Sequence, residues 1–171
     1  MIKAAIINVT GYAGIELARL LHRHPDTELV QVTGRSASGQ KLGDVFPHLS
    51  DINLNVDEEI SASVDVVFSA LPQTASAEAL IPLVEKGVKS IDISADFRLK
   101  SASEYEEWYG VPHPKPQLLE TAAYGLPEIN KSEIKSSSLV ANPGCYPTAA
   151  LLALAPAVRE NIIGEDIIID A

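Results

Sequence analysis

Residues 2–14 read IKAAIINVTGYAG and join a strand-like apolar run to a glycine turn. The run Ile2–Asn8 predicts a β-strand, and from Gly14 to His22 the apolar residues are spaced so that a helix gains one apolar face. Pro25 ends that helix, because the residue before a proline is pushed out of the α region. A strand, a tight turn and a helix in this order predict the first unit of an open α/β sheet.

Strand-like and helical stretches alternate along the rest of the chain. Further strands are predicted at Leu29–Thr33, Val64–Leu71, Lys89–Ser94 and Leu139–Ala141, and further helices at Ala75–Lys86 and Thr148–Glu160. Strands that are separated by helical connectors pair in parallel, so the predicted fold class is α/β, with a doubly wound parallel sheet.

Three regions carry weaker signals. Residues 34–55 and 101–130 lack a strong periodicity and contain several glycines or prolines, so both are interpreted as mostly irregular. Residues 166–171 are interpreted as β-rich, and the chain stops inside that strand-like run. We therefore expect these 171 residues to be part of a longer enzyme, cut near a domain border.

Composition limits the function classes. The chain has 13 basic and 23 acidic side chains, and its net charge of −10 argues against nucleic-acid binding, which rewards basic patches. Apolar runs such as Ala149–Ala155 are far shorter than the roughly 18 residues of a membrane helix, so no membrane partner is expected. One cysteine excludes an intrachain disulfide and fits a reducing compartment, and no secretory cleavage site is evident.

The glycine turn predicts a nucleotide phosphate site. Gly11 and Gly14 allow a tight turn and the close approach of a pyrophosphate to the following helix N-terminus. Asn8 stands where a further glycine of the motif would be, and asparagine tolerates a left-handed backbone better than other non-glycine residues. Two glycines are also common in plain turns; the strand before them and the helix after them favour the nucleotide site.

The end of the second predicted strand indicates which dinucleotide binds. NAD-selective folds place a carboxylate roughly 20 residues beyond the glycines, to bond the ribose 2′-hydroxyl. Residues 33–36 read TGRS and offer a guanidinium and a hydroxyl instead. These groups suit a 2′-phosphate through charge-assisted hydrogen bonds, so the predicted cofactor is NADP(H). The alternative is that Arg35 is an ordinary solvated arginine.

The lone cysteine lies at a predicted helix start. Residues 142–145 read NPGC, in which proline and glycine suit the two centres of a type II turn, and Pro147 suits the first turn of a helix. The positive end of the helix dipole favours the thiolate, which is the form that attacks an acyl carbon. Most free cysteines are buried and inert, so a structural role is the alternative for Cys145.

These motifs resemble the N-terminal half of the N-acetyl-γ-glutamyl-phosphate reductase family of arginine biosynthesis. The resemblance covers almost all of the chain and rests on TGYAGIEL (10–17), GRSASG (34–39), VFPHL (45–49), SALP (69–72), SADFRL (94–99), YGLPE (124–128) and ANPGCYPTA (141–149). SADFRL and ANPGCYPTA are the most specific of these stretches. Asn8 departs from the pattern, because the family usually has glycine there.

The resemblance implies a Rossmann NADP-binding domain over residues 1–145. Residues 146–171 would then form the cysteine helix and the start of an α+β substrate and dimerisation domain. In the implied reaction Cys145 attacks the γ-acyl phosphate, phosphate leaves, and NADPH reduces the thioester to N-acetylglutamate 5-semialdehyde. The full-length enzyme is expected to be a cytoplasmic homo-oligomer that takes a small acyl phosphate and uses no metal. Its catalytic histidine is expected outside this chain, whose four histidines are interpreted as surface or packing residues.

The implied site residues form three groups. Cys145 is the catalytic residue, and the substrate-binding residues are Ser94, Arg98 and Asn142. The cofactor-binding residues are Thr10, Gly11, Tyr12, Ala13, Gly14, Arg35, Ser36, Ser38, Ala70, Leu71 and Pro72. Arg98 is interpreted as an anchor for the substrate's α-carboxylate or phosphate, with an ion pair to Asp92 or Asp96 as the alternative.

Other functions stay open at this point. One is a free-standing NADP-binding module without catalysis. Another is an enzyme like aspartate-semialdehyde dehydrogenase, which shares the cysteine mechanism, and a third is a reductase of an aminoadipyl phosphate. The YGLPE and NPGCYPTA stretches favour the glutamyl enzyme over the aspartyl one.

Overall fold

The computed structural model describes residues 1–170, in which a parallel sheet is packed between helices. Its strands are β1 (Ile2–Ile7), β2 (Thr27–Thr33), β3 (Val56–Asp57), β4 (Val66–Ser69), β5 (Lys89–Asp92), β6 (Ala123–Tyr124) and β7 (Leu139–Ala141). They lie in the order β3–β2–β1–β4–β5–β7–β6, and every pairing between them is parallel.

Most of the helices lie between consecutive strands, and the last one follows β7. They are α1 (Tyr12–His22), α2 (Leu42–Val45), α3 (Ala75–Glu85), α4 (Ala102–Tyr109), α5 (Pro116–Thr121), α6 (Pro127–Ser136) and α7 (Cys145–Arg159). The chain builds outward from β1 to β3 and then returns to add β4 on the other side of β1. This reversal of direction between β1 and β4 confirms the predicted doubly wound sheet and creates the switch point where such folds bind ligands.

The central strand β1 is buried on both faces, which explains its nearly continuous apolar sequence. Ala4 and Ile6 pack in one core cluster with the α1 residue Ala18. Ala5 faces the other way and belongs to a second cluster that contains Leu80 of α3. The two cores hold α1 and α3 against opposite faces of the sheet, so the turns that start both helices lie beside the switch point.

Two of the sequence predictions are wrong. Residues 101–130 contain α4, α5, β6 and the start of α6, because the prolines at 116 and 127 begin helices instead of breaking them. Residues 166–170 form no strand and are exposed, since no neighbouring strand pairs with them; Ala171 lies outside the described residues. Residues 34–55 are largely irregular as expected, apart from α2 and two short 3₁₀ turns.

None of the helices in residues 1–170 combines the length and the apolar character that crossing a bilayer requires.

Candidate functional site

A cavity of about 730 Å³ opens at the carboxyl edge of the sheet, where the turns after β1, β2 and β4 meet. The predicted cofactor residues that line it are Thr10, Arg35, Ser36 and Leu71. The remaining wall comes from the ends of β1 and β2 with Asn8 and Gly34, from α3 and from the loop after β3. The cavity lies at the switch point of the sheet, and its volume falls within the 300–1,000 Å³ or so that is typical of small-molecule sites.

Gly11 and Gly14 shape the start of α1. Gly11 precedes the helix with an extended backbone. A Cβ atom on Gly14 would overlap the carbonyl oxygen of Asn8, so only glycine lets α1 begin this close to β1. Tyr12 and Ala13 are exposed in the first turn, where backbone N–H groups lack helical partners and can bind phosphate.

Asn8 has a left-handed backbone with a φ of 65°, the conformation that its side chain tolerates. Its Nδ2 donates to the carbonyl oxygen of Ala70 at 2.9 Å, and the Ala70 N–H donates to the Ile7 carbonyl oxygen at 2.9 Å. The turn after β4 is thereby tied to the turn after β1. Of the predicted residues in the β4 turn, Leu71 lines the cavity and Pro72 is exposed beside it.

Arg35 and Ser36 lie in a short 3₁₀ turn after β2, and both side chains are exposed. Within residues 1–170 Arg35 makes no ion pair, so its guanidinium is available to a ligand. Gly34 precedes it, and a Cβ atom there would lie 2.9 Å from Cγ2 of Thr10. Ser38 is exposed at the end of the turn but is not among the residues that line the cavity.

Sequence reasoning missed three carboxylates in the cavity wall: Glu58, Glu59 and Glu78. Gln31 holds the loop that carries the first two, because its Nε2 donates to Oδ2 of Asp57 at 2.6 Å and its Oε1 accepts from the Ser61 N–H at 3.0 Å. The only signal in the sequence is the acidic run 57–59, whose place depends on the pairing of β3 with β2. A phosphate beside Arg35 would therefore lie in a pocket of mixed charge.

Cys145 is exposed and is the first residue of α7, as its predicted position at a helix start requires. Gly144 precedes it with a φ of −70°, so the turn is not of type II, which needs a positive φ at this glycine. The preceding strand β7 runs parallel to the strands around the cavity. The thiol and the cavity consequently lie at the same edge of the sheet.

Arg98 joins the loops that follow β5 and β7. Its Nε donates to the carbonyl oxygen of Asn142 and its Nη2 to that of Ile93, both at 2.8 Å. A Cβ atom on Gly144 would lie 3.2 Å from Nη1, which places the guanidinium against the N-terminus of α7. Within residues 1–170 Arg98 forms no ion pair, so the alternative of a salt bridge to a neighbouring aspartate is wrong.

Ser94 is buried in a polar network behind this loop. Its hydroxyl donates to Oδ2 of Asp92 at 2.8 Å and accepts from the Asp96 N–H at 3.0 Å. Ser76 donates to the other carboxylate oxygen of Asp92 at 2.6 Å. Burial raises the pKa of Asp92, and the hydrogen bonds from Ser76 and Ser94 oppose that rise. The network holds the end of β5 and the start of the loop that carries Arg98.

Asp96 caps α3 from a different loop. Its Oδ1 accepts from the Thr74 N–H at 2.8 Å, and its Oδ2 accepts from the Ala77 N–H at 2.8 Å. The Tyr105 hydroxyl also donates to Oδ1, at 2.9 Å, and burial together with this carboxylate raises the pKa of Tyr105 to about 12. Asp96 thus connects the SADFRL loop with the helix that forms one wall of the cavity.

His113 packs edge-on against Phe97 and Tyr105, with ring centroids 5.1 and 4.9 Å apart. Its Nδ1 accepts from the Lys115 N–H at 3.1 Å, while Nε2 is buried without a hydrogen-bond partner in the described chain. Burial lowers the pKa of His113, and the nearby charge of Asp96 acts in the opposite direction. This is a packing histidine, and the other three histidines are exposed.

A glycine turn at the switch point of a parallel sheet, beneath a cavity of this size, defines a Rossmann-type dinucleotide-binding domain. The chain belongs to the family described as semialdehyde dehydrogenase, NAD binding domain, whose model matches residues 3–137.

Several curated relatives at about half identity or more share one name. The chain is 56% identical over 169 residues to an N-acetyl-gamma-glutamyl-phosphate reductase of Dehalococcoides mccartyi, which covers 99% of this chain and 50% of the relative. It is 51% identical over 177 residues to the protein of that name from Halothermothrix orenii, covering 100% of this chain and 51% of the relative. These relatives confirm the resemblance seen in the motifs. The chain spans about half the length of the curated relatives it matches.

Solved structures confirm the fold. Aspartate semialdehyde dehydrogenase with NADP from Candida albicans superposes with a TM-score of 0.72 at 18% identity, over 94% of this chain and 47% of that one. Aspartate semialdehyde dehydrogenase II complexed with ASA from Vibrio cholerae gives a TM-score of 0.68 at 19% identity, over 93% and 47%. At sequence identities this low, the superpositions establish a common architecture and nothing more.

Proposed function

We propose that this chain is the NADP(H)-binding part of an N-acetyl-γ-glutamyl-phosphate reductase. The reaction reduces N-acetyl-γ-glutamyl phosphate to N-acetylglutamate 5-semialdehyde and releases phosphate, a step of arginine biosynthesis. The observation that carries the proposal is that exposed Cys145 and the nucleotide-sized cavity lie at one edge of a single parallel sheet. The names of the relatives supply the substrate class.

The residues around the cavity fit a dinucleotide that carries a 2′-phosphate. Gly14 and Gly34 leave no room for a side chain, so the turns after β1 and β2 pack closely together beside the cavity. The first-turn N–H groups of α1 would bind the pyrophosphate. Arg35 would bind the 2′-phosphate with Ser36 beside it in the same turn, because no carboxylate follows β2 where NAD-selective folds have one. Leu71 offers an apolar surface within the same cavity.

Cys145 would carry out the covalent step. Its thiolate Sγ attacks the γ-acyl carbon, the bond from that carbon to the phosphate oxygen breaks, and phosphate leaves with the electron pair. Bound NADPH supplies the hydride that reduces the acyl carbon of the resulting thioester. The carbon–sulfur bond then breaks, which releases the semialdehyde and regenerates the thiolate. Backbone N–H groups at the start of α7 would stabilise the negative oxygen during both steps.

Arg98 would hold the substrate while also holding the loops. Its Nε and Nη2 are committed to backbone carbonyls, and the described chain leaves Nη1 beside Gly144 for the substrate's α-carboxylate or phosphate. Asn142 is fixed at the same point, because its carbonyl oxygen accepts from Arg98 and its Nδ2 donates to the Pro143 carbonyl at 3.2 Å. Ser94, the third residue predicted to bind substrate, has its hydroxyl already paired with Asp92 and Asp96, so it would support this arrangement from behind.

We also propose the division into residues 1–145, the NADP-binding domain, and residues 146–171, the cysteine helix and the start of an α+β substrate and dimerisation domain. No residue of α7 is buried in the described chain. Its exposed apolar side chains are Tyr146, Leu151, Leu152 and Val158. An exposed apolar helix of this kind is typical of a surface that packs against another domain or subunit. In a homo-oligomeric, cytoplasmic parent enzyme the second domain would cover it and supply the catalytic histidine.

The test is an assay of the full-length parent, run in the direction of NADP⁺ reduction with phosphate and each of three semialdehydes. N-Acetylglutamate 5-semialdehyde should give the highest kcat/KM. A higher value with the semialdehyde of aspartate or of aminoadipate would overturn the proposed substrate. The 171-residue chain alone should bind NADPH and reduce substrate negligibly. A parent that binds NADPH but turns over none of the three would support a non-catalytic binding module instead.

A further inference from the structure

We propose that Asn8 is a positioning residue that connects the three turns of the nucleotide cavity. The inference rests on the proposed NADP(H) site and adds to it a residue that hydrogen-bonds to the loops around the cofactor. Asn8 lies in the cavity wall directly after β1. The resemblance in the motifs leads one to expect glycine at this position, so the asparagine side chain calls for a physical explanation.

The backbone of Asn8 serves the approach of α1. Its φ of 65° is left-handed, a conformation that glycine and asparagine adopt with little strain. The Asn8 carbonyl oxygen lies where a Cβ atom on Gly14 would be, so this backbone sets how closely α1 can begin. Glycine would satisfy the same requirement. The backbone alone therefore does not account for an asparagine.

The side chain of Asn8 spans the cavity floor. Its Nδ2 donates to the Ala70 carbonyl oxygen, in the turn after β4, at 2.9 Å. Its Oδ1 accepts from the Thr10 hydroxyl at 3.3 Å, and the Thr10 hydroxyl accepts from Ser36, in the turn after β2, at 3.3 Å. One continuous chain of hydrogen bonds thus links Ala70, Asn8, Thr10 and Ser36. Glycine at position 8 would leave these turns without that link.

The Ser36 hydroxyl gives its one hydrogen to Thr10, so the chain of hydrogen bonds ends in the turn that carries Arg35, the side chain proposed to bind the 2′-phosphate. Ala37 is the buried residue of this short turn, whereas the side chains of Arg35 and Ser36 are exposed and are not held by core packing. Holding such a turn in place before the ligand arrives reduces the entropy lost on binding and raises affinity. The effect should be larger for NADPH than for NADH, because only NADPH carries the phosphate that Arg35 would bind.

The experiment measures NADPH and NADH dissociation constants of the 171-residue chain and of Asn8→Gly, together with the melting temperature of each. Glycine keeps the left-handed backbone and removes only the link. NADPH affinity should fall about three- to tenfold, the equivalent of one ordinary hydrogen bond, and NADH affinity should fall less. Asn161→Gly is the matched control, because Asn161 is also left-handed, with a φ of 53°, but lies beyond α7. Its affinity should equal that of the parent chain.

A second measurement separates positioning from a general loss of stability. Ser36→Ala is made in the parent chain and in Asn8→Gly, and it should cost less NADPH affinity in the second background, since the link is already broken. Additive losses, or an unchanged NADPH affinity in Asn8→Gly, would overturn the inference.

Should Asn8→Gly fail to fold, Asn8→Asp keeps the tolerated backbone and loses the donor to Ala70. Affinity equal to the parent in Asn8→Asp would overturn it as well. A parent chain that binds neither cofactor would overturn the proposed function, and the inference with it.

Discussion

The Nε of Arg98 donates to the carbonyl oxygen of Asn142 at 2.8 Å, across 44 residues of sequence. The same guanidinium donates to the Ile93 carbonyl oxygen, so one side chain joins the ends of β5 and β7. Cys145 begins α7 three residues after Asn142. The position of the thiol relative to the sheet therefore depends on a side chain from the SADFRL loop, and not only on its own turn.

Arg98→Lys should lower activity in the full-length parent although it keeps the positive charge. Lysine has one compact ammonium group and cannot donate to two separated carbonyls in the planar geometry of arginine. Each charge-assisted bond that is lost should cost about 1.5–3 kcal/mol, so kcat/KM should fall by at least about tenfold. Arg159→Lys, at the exposed end of α7, is the control and should change little. Equal kcat/KM values for the parent and Arg98→Lys would show that charge alone suffices.

Cys145→Ser in the full-length parent should remove turnover and leave NADPH binding intact. Serine has a similar shape, but its hydroxyl is scarcely ionised near neutral pH, and an oxygen ester accepts hydride less readily than a thioester. We expect kcat to fall by more than about two orders of magnitude. Ala149→Ser adds a hydroxyl one turn further along α7 and serves as the control. A serine variant that keeps more than a tenth or so of the parent kcat would mean that Cys145 is structural.

Arg35→Ala should weaken NADPH binding more than NADH binding. Only NADPH carries the 2′-phosphate, and a charge-assisted contact is worth about 1.5–3 kcal/mol, or roughly ten- to a hundredfold in affinity. Lys41→Ala removes a nearby exposed cation that does not line the cavity, and it should affect both cofactors little. The readout is the pair of dissociation constants from calorimetric titration. Equal losses for the two cofactors would remove Arg35 from the phosphate site.

The stability of the chain should decline as the pH falls below about 6.5, in part because His113 is buried. Burial lowers the pKa of His113 in the folded chain below its ordinary 6.5. As the pH falls, the unfolded chain therefore takes up a proton on His113 before the folded chain does. The contribution of neutral His113 to the free energy of unfolding is complete above about pH 6.5, and it is lost as the pH falls towards the pKa of the folded chain. The measurement is the free energy of unfolding in urea between pH 8 and pH 5 or so.

His113→Asn isolates this contribution, because its amide oxygen can replace Nδ1 as the acceptor for Lys115 without titrating. The variant should show a smaller loss of stability with falling pH than the parent. His24→Asn is the matched control, since exposed His24 accepts from the Asp26 N–H in the same way. If both variants change the pH dependence equally, burial of His113 is not its cause.

Local patterns in the sequence were sufficient for the central features of the fold. The apolar run of β1, the glycine turn and the apolar face of α1 are each read from neighbouring residues, and all three appear as predicted. The same holds for Cys145 at the start of α7. These features depend on backbone conformation and on periodicity over one element, which a short stretch of sequence encodes directly.

Tertiary structure decided the remainder, since it depends on pairings between distant residues. Prolines 116 and 127 begin helices, and the local sequence does not distinguish such a proline from one that breaks a helix. Residues 166–170 form no strand because no partner strand pairs with them. Glu58 reaches the cavity only through the pairing of β3 with β2, and Asp96 caps a helix that begins 21 residues earlier. Hydrogen bonds and strand pairings between residues this far apart in sequence depend on how the elements pack, and a local periodicity does not predict them.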